Sequence, residues 1–243
     1  AGQPGGANIR VCNLSLGGAT LNPGNDLFDK AIDLLLANDI VPVIAASNSG
    51  PATLTTGSPA SSYSALTVGA ASLAHNERIL RRLQFGPEIG ALYRPFAGTQ
   101  TAFFSSRGPH ADGRPDPDVV SNGFANFGQG SFDTASITLG SGTSYSSPAV
   151  AGVAALLRQA FPLATARQIR RAIIRSANPH LINDGSTDLD RGAGYVDALA
   201  ARNLLASGRV SDAPPEPERT NKHVKVNLER SGLNVRDGHV RDT

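Results

Sequence analysis

The 243-residue chain holds one cysteine, no methionine and no tryptophan, and only 5% of its residues are aromatic. Cys12 alone cannot close an internal disulfide, which excludes a disulfide-stapled scaffold and discriminates poorly between compartments. The sequence does not open on methionine and shows no charged-then-apolar leader over residues 1–20. The expectation is therefore an internal piece, or a processed product, of a longer protein. Charge of one sign is missing too: 22 basic against 20 acidic residues leave +2, which excludes a generally basic nucleic-acid binder and an acidic disordered chain. No apolar run approaches the roughly 18–20 residues of a membrane span. The basic residues are nearly all arginine, and their scatter argues against a phosphate-binding patch.

What is present is 40% hydrophobic, with enough length for a sizeable core. Ile9 to Leu14 is a short β-branched run. Asn25 or Asp26 can cap a helix reaching about Asn38, with Leu27, Ala31, Leu34 and Leu35 on one face. Val41 to Ala46 is a nearly unbroken apolar strand, so the three form a βαβ unit. Strands apolar on both faces predict a parallel sheet covered on both sides. Ala65 to Ala70 reads as a further buried strand. His75 to Gly98 reads as a long loop or surface insertion, Thr101 to Ser106 as extended, and Asp118 to Val120 as a strand. Phe124 to Thr138 reads as loop.

Two helices follow. The first runs from about Ser144 to Ala160 with a stripe of Val150, Val153, Ala154 and Leu157. The second is capped at Thr165 and runs to about Ser176, with Arg167, Arg170, Arg171 and Arg175 facing solvent. Residues 1–207 read as one domain. Residues 208–243 read as a Pro/Glu linker and tail, in which His223 to Leu228 alternates as a strand does.

The strongest chemical signal is Gly142-Thr-Ser-Tyr-Ser-Ser-Pro-Ala-Val-Ala-Gly152. A glycine turn delivers Ser144 to the first turn of an apolar helix, where unpaired N–H groups can receive a developing negative charge. Thr143 or Ser144 acting merely as a helix cap is the plain alternative. Asn48, at the end of the apolar strand in Ser47-Asn-Ser-Gly50, is either a turn residue or an amide donor aimed at the same place.

The run at Gly142 resembles the nucleophile segment of the subtilisin-like serine peptidases, with Ser144 at the nucleophile and Pro148 in the first turns of the helix. Asn13-Leu-Ser-Leu-Gly-Gly18 resembles that family's substrate-pairing strand, and Ala45-Ala-Ser-Asn-Ser-Gly50 resembles its oxyanion segment. Phe104-Ser-Ser-Arg-Gly-Pro109, Pro117-Asp-Val-Val120 and Gly192-Ala-Gly-Tyr-Val-Asp197 match in the same order. The resemblance implies a three-layer α/β/α fold with a mostly parallel sheet, truncated on its N-terminal side. It implies a serine endopeptidase in which Ser144 attacks, Asn48 holds the oxyanion, and Ser15, Leu16, Gly17, Ala45, Ala46 and Ser47 contact a polypeptide substrate. The family more often has glycine where Ser47 stands, which predicts a tighter wall to the primary specificity pocket. A secreted or extracellular location is also implied, although intracellular members exist.

The family's chemistry needs an aspartate and a histidine as well. None of His75, His110, His180, His223 and His239 is followed by glycine, as the family's catalytic histidine is. His75 and His110 read as exposed loop residues, and His180 as lying beyond the second helix. Asp133-Thr-Ala135 echoes the aspartate motif in the wrong place. The triad partners are thus expected upstream, in a missing N-terminal segment of the same protein, and the chain alone is expected to be inactive. A binding module that has lost its triad, and a purely structural domain, remain as the other readings. No metal cluster has convincing spacing. Asp184, Asp188 and Asp190 lie close together but lack an EF-hand order, and calcium often stabilises the family. No ligands are assigned and no other cofactor is expected.

Overall fold

The computed structural model describes residues 7–93, 97–130 and 135–214, with the backbone of two strands near the C-terminus. In chain order the elements are β1 (Val11–Leu14), α1 (Leu27–Ala37), β2 (Val41–Ala45), β3 (Leu66–Leu73), α2 (Ala74–Phe85), α3 (Pro87–Leu92) and β4 (Thr99–Thr101). Then come β5 (Val119–Asn122), β6 (Asn126–Gln129), β7 (Ile137–Gly140), α4 (Thr143–Ala160), α5 (Ala166–Ser176), α6 (Asp188–Arg191), α7 (Ala198–Ala206), β8 (Leu233–Arg236) and β9 (His239–Asp242). The strand expected over His223–Leu228 lies outside the described residues, as does Asp133.

β1, β2, β3 and β5 run parallel, and β4 joins β3 antiparallel. Alternation along β2 explains the layers. Val41 and Val43 pack with Val150, Ala154 and Leu157 of α4 and Ile169 and Ile173 of α5. Ile44, one residue on, packs with Ile32 of α1, Ala60 and Ala65 on the other face. Because both faces are covered, all five residues of β2 are buried, which is why the strand reads as an unbroken apolar run. The expected three-layer α/β/α arrangement is present.

α1 departs from its expected orientation. Ile32 and Leu36 face the core and Leu35, of the expected stripe, packs against it, whereas Leu27 is 84% and Leu34 64% exposed, and Ala31 is exposed too. The helix turns its more strongly spaced apolar stripe outward because a carboxylate pins the other face. Asp29, fully buried, accepts from Gly24 N–H, Ser58 Oγ and Ser61 Oγ at 2.8–3.0 Å. Asp29→Ala should strip three buried donors of their acceptor and lower stability by about 3 kcal/mol. Urea unfolding would check this, with no shift in midpoint as the contrary result. Asp26 occupies the N-cap position, without a side-chain capping bond.

Two loop assignments and one extended one are corrected. Residues 74–92 fold into α2 and α3, a helical pair hinged at Gly86 (φ +90), with Leu80 buried. The arginine-rich pattern hid a helix whose apolar face is narrow. Residues 126–140 contain the β6–β7 hairpin, paired from Asn126↔Gly140 to Gln129↔Ile137. Extended structure near Thr101 ends at that residue, and Phe104–Ser106 serves as a buttress instead. α5 carries a full capping box between Thr165 and Gln168. Its arginines do not all face solvent: Arg170 donates to Ala65 O and to both oxygens of Asp118, and Arg171 to Ser211 O and Ala213 O. The 207–214 segment thus runs back over α5, with Val210 buried.

Asp39 ties layers together at the start of β2, meeting Arg10, Arg158 and the Ala166 amide. Burial opposes its charge, but the Ala166 N–H and the Arg158 guanidinium outweigh that and hold the carboxyl below its usual range.

Candidate active site

The C-terminal ends of β1 and β2 open side by side into an exposed cleft whose third side is the start of α4. Gly142, at φ +153, makes the turn that only glycine adopts readily, so Ser144 becomes the second residue of α4. At that position its N–H has no intrahelical acceptor and the helix dipole is positive. Pro148, the sixth residue of α4, has no N–H to give the Ser144 carbonyl, which accepts from Ser15 Oγ instead. The capping alternative fails on geometry: the N-cap is Gly142, and neither Thr143 nor Ser144 makes a side-chain capping bond.

Thr143 instead positions Asn48. Its N–H and its hydroxyl both donate to Asn48 Oδ1, at 2.8 and 3.0 Å. With the oxygen so occupied, the Nδ2 group is left to donate elsewhere, beside Gly142. Asn48 is exposed to the cleft although the strand before it is buried. The turn that carries it is held by Ser106 N–H to Ser47 O, Ser49 N–H to Ser106 Oγ and Gly50 N–H to Phe104 O. This explains what the Phe104-Ser-Ser segment does.

Ser144 is anchored from β1. Its hydroxyl lies 3.5 Å from Ser15 O, and Ser15 Oγ donates to Ser144 O at 3.1 Å. Behind them Asn13 Nδ2 donates to Ser15 Oγ, and Ser147 Oγ donates to Asn13 Oδ1. Asn13 was not singled out as a functional residue, yet it is the bridge that fixes α4 against β1. Its place within the Asn-Leu-Ser-Leu-Gly motif was the available signal. Ser15, Leu16 and Gly17 are all exposed and line the cleft with Ala45 and Ser47, whereas Ala46 is fully buried and points away. Strand alternation accounts for Ala46. Tyr145 rides above Gly140 of the β6–β7 hairpin, where a Cβ would strike its hydroxyl.

No described histidine joins this group. His75 stands exposed on α2 and His180 is exposed. His110, expected at the surface, is buried, with Nε2 3.6 Å from Asp116 Oδ1 in a separate crevice that shares no residue with the Ser144 cleft. The turn Arg107–Asp116 folds inward there because Arg114 pairs with Asp112 and reaches Ser61 O.

Among the described residues no three His, Cys, Asp or Glu side chains gather at metal-binding spacing. Asp184 accepts from Thr101 N–H and Ser186 N–H, and Asp190 from Thr187 and Arg107. Asp184 and Asp190 thereby tie neighbouring loops together.

A family model described as the subtilase family matches residues 3–196. The chain belongs to the subtilase family. It is 34% identical over 208 residues to pyrolysin of Pyrococcus furiosus, covering 80% of this chain and 15% of that protein. It is 30% identical to alkaline elastase YaB of a Bacillus species, covering 79% and 40% of the respective lengths. Among solved structures, a chain titled S41 psychrophilic protease aligns with a TM-score of 0.60 at 25% identity, covering 77% of this subtilase and 56% of that chain. The prenylagaramide maturation protease PagA aligns at 0.59 and 23% identity, supporting the fold. The subtilase chain thus spans less than two thirds of the length of each of these relatives.

Proposed function

We propose that this subtilase segment is the nucleophile-bearing part of a serine endopeptidase, completed by an aspartate and a histidine from a segment outside these 243 residues. The observation that carries the reading is the lock of Asn48 Oδ1 by Thr143, which leaves an amide donor beside a serine at a helix N-terminus. In the reaction, Ser144 Oγ bonds to the scissile carbonyl carbon and its proton passes to the supplied histidine. The carbonyl π electrons move onto oxygen, which receives hydrogen bonds from Asn48 Nδ2 and Ser144 N–H. Collapse breaks the C–N bond, the histidine's proton leaves with the amine, and water releases the acyl group. Exposed Ser15–Gly17 pairs the substrate backbone as an added strand.

Two exposed features support a completing segment. Among the described residues β1 has a strand partner on one side alone, and α1 presents Leu27, Ala31 and Leu34 to solvent. An open strand edge and an exposed apolar helix face both favour being covered. The polypeptide substrate and an extracellular location belong to the same reading. The test is hydrolysis of a casein-derived peptide by the chain alone and by the chain joined to its upstream segment. Hydrolysis in the joined form alone is expected. A joined form with intact Asp and His that binds the peptide without cleaving it would favour the binding module.

A further inference from the structure

In an α-helix each carbonyl accepts from the N–H four positions on, and for Ser144 that position is Pro148, which has none. The nucleophile's own carbonyl is thus released from the helix ladder and needs a donor from elsewhere. Ser15, the residue just past β1, supplies it: Ser15 Oγ donates to Ser144 O at 3.1 Å. Ser15 O in turn lies 3.5 Å from Ser144 Oγ, so one residue meets the nucleophile residue at two points.

Asn13 keeps the Ser15 hydroxyl turned this way. A hydroxyl carries one proton and gives it to one acceptor at a time. Asn13 Nδ2 donates to Ser15 Oγ at 3.1 Å, which takes up a lone pair and leaves the proton for Ser144 O. At the other end of the same amide, Ser147 Oγ donates to Asn13 Oδ1 at 2.6 Å. The bonds therefore run one way, from Ser147 through Asn13 and Ser15 to Ser144, and close a ring between β1 and the first turns of α4. The side chain at 13 must accept at one end and donate at the other, which an amide does and a carboxylate does not. Among the described residues β1 pairs with β2 alone, so no second strand duplicates this tie.

We infer that Asn13 is a positioning residue for the nucleophile, setting the place of the Ser144 backbone, and with it Ser144 Oγ, through Ser15. This rests on the peptidase reading above and extends it to a residue that acts through another rather than on Ser144 itself.

The experiment compares Asn13→Ala, Asn13→Asp, Ser15→Ala and the Asn13→Ala/Ser15→Ala double variant in the joined protein, with one casein-derived peptide as substrate. Each should lower kcat by about 10- to 100-fold, up to the loss that a misplacement of about 1 Å causes. KM should change little, since the Ser15–Gly17 backbone that pairs the substrate is retained. The double variant should be no slower than the slower single one, because both substitutions break the same tie. Asn13→Asp keeps the acceptor for Ser147 and loses the donor to Ser15, and should be as slow as Asn13→Ala. Circular dichroism shows that each variant is folded, and Ser15→Ala, which removes one exposed hydroxyl, keeps the test open if Asn13→Ala is not. Losses that multiply in the double variant would overturn action through Ser15. A lower melting temperature with kcat kept would reduce Asn13 to a stabilising tie and overturn the inference, as would a raised KM with kcat unchanged. No Ser144-dependent cleavage by the joined protein itself would overturn the peptidase reading and this inference with it.

Discussion

Ser144→Ala, introduced into the joined protein, is expected to lower kcat by about 10⁶, the loss known for the nucleophile of subtilisin itself. The loss is large because every covalent step passes through one oxygen, and no neighbouring hydroxyl can take its place. Ser15 Oγ and Ser147 Oγ are engaged with Ser144 O and Asn13 Oδ1. A residual rate of about 10³–10⁴ over water should persist, since the oxyanion donors and the substrate strand remain. Steady-state hydrolysis, with circular dichroism to show that the fold is kept, makes the measurement. A variant retaining a tenth of the parent rate would move the nucleophile elsewhere.

Asn48→Ala in the same protein should lower kcat by about 10²–10³ and leave KM nearly unchanged, as for oxyanion donors in general, subtilisin's included. Its Nδ2 strengthens its bond only as charge develops on the carbonyl oxygen, so the effect falls on the transition state. The same substitution removes the acceptor of Thr143 N–H and its hydroxyl, so a modest loss of thermal stability should accompany it. Were kcat kept and KM raised, Asn48 would be a turn or binding residue. Asn48→Asp keeps the acceptor for Thr143 but loses the donor, and should be as slow as the alanine variant.

The parts of this molecule legible in sequence are those where one local rule decides. β2 is apolar throughout because both faces are covered, and Gly142-Thr-Ser announces a glycine turn into a helix. α1 was misread because its more regular apolar stripe, Leu27 and Leu34, is the outward one. The buried Asp29 that orients the helix finds its partners Ser58 and Ser61 far along the chain. His110 was misread for a similar reason: its burial depends on a turn folded inward by Arg114, and no periodicity records that. α2 was hidden by arginines, since a helix resting one narrow face on the body needs few apolar positions. That Ser144 and Asn48 meet at one cleft was legible from their motifs. The Thr143 lock and the Asn13 bridge were not, because hydrogen bonds between residues far apart in sequence leave no spacing to read.

The central claim is that Ser144 is a nucleophile poised by this fold but short of a base. A serine hydroxyl is weak at neutral pH until a neighbour accepts its proton, and a helix N-terminus cannot do so. Here the hydroxyl's partner among the described residues is Ser15 O, an acceptor with no affinity for a proton at neutral pH. The most direct measurement is covalent labelling by a fluorophosphonate probe, followed by mass spectrometry at Ser144, with the 243-residue chain and the joined protein side by side. The chain alone should stay unlabelled while the joined protein is labelled at Ser144 promptly and stoichiometrically. Prompt labelling of Ser144 in the chain alone, or none in either, would contradict the account.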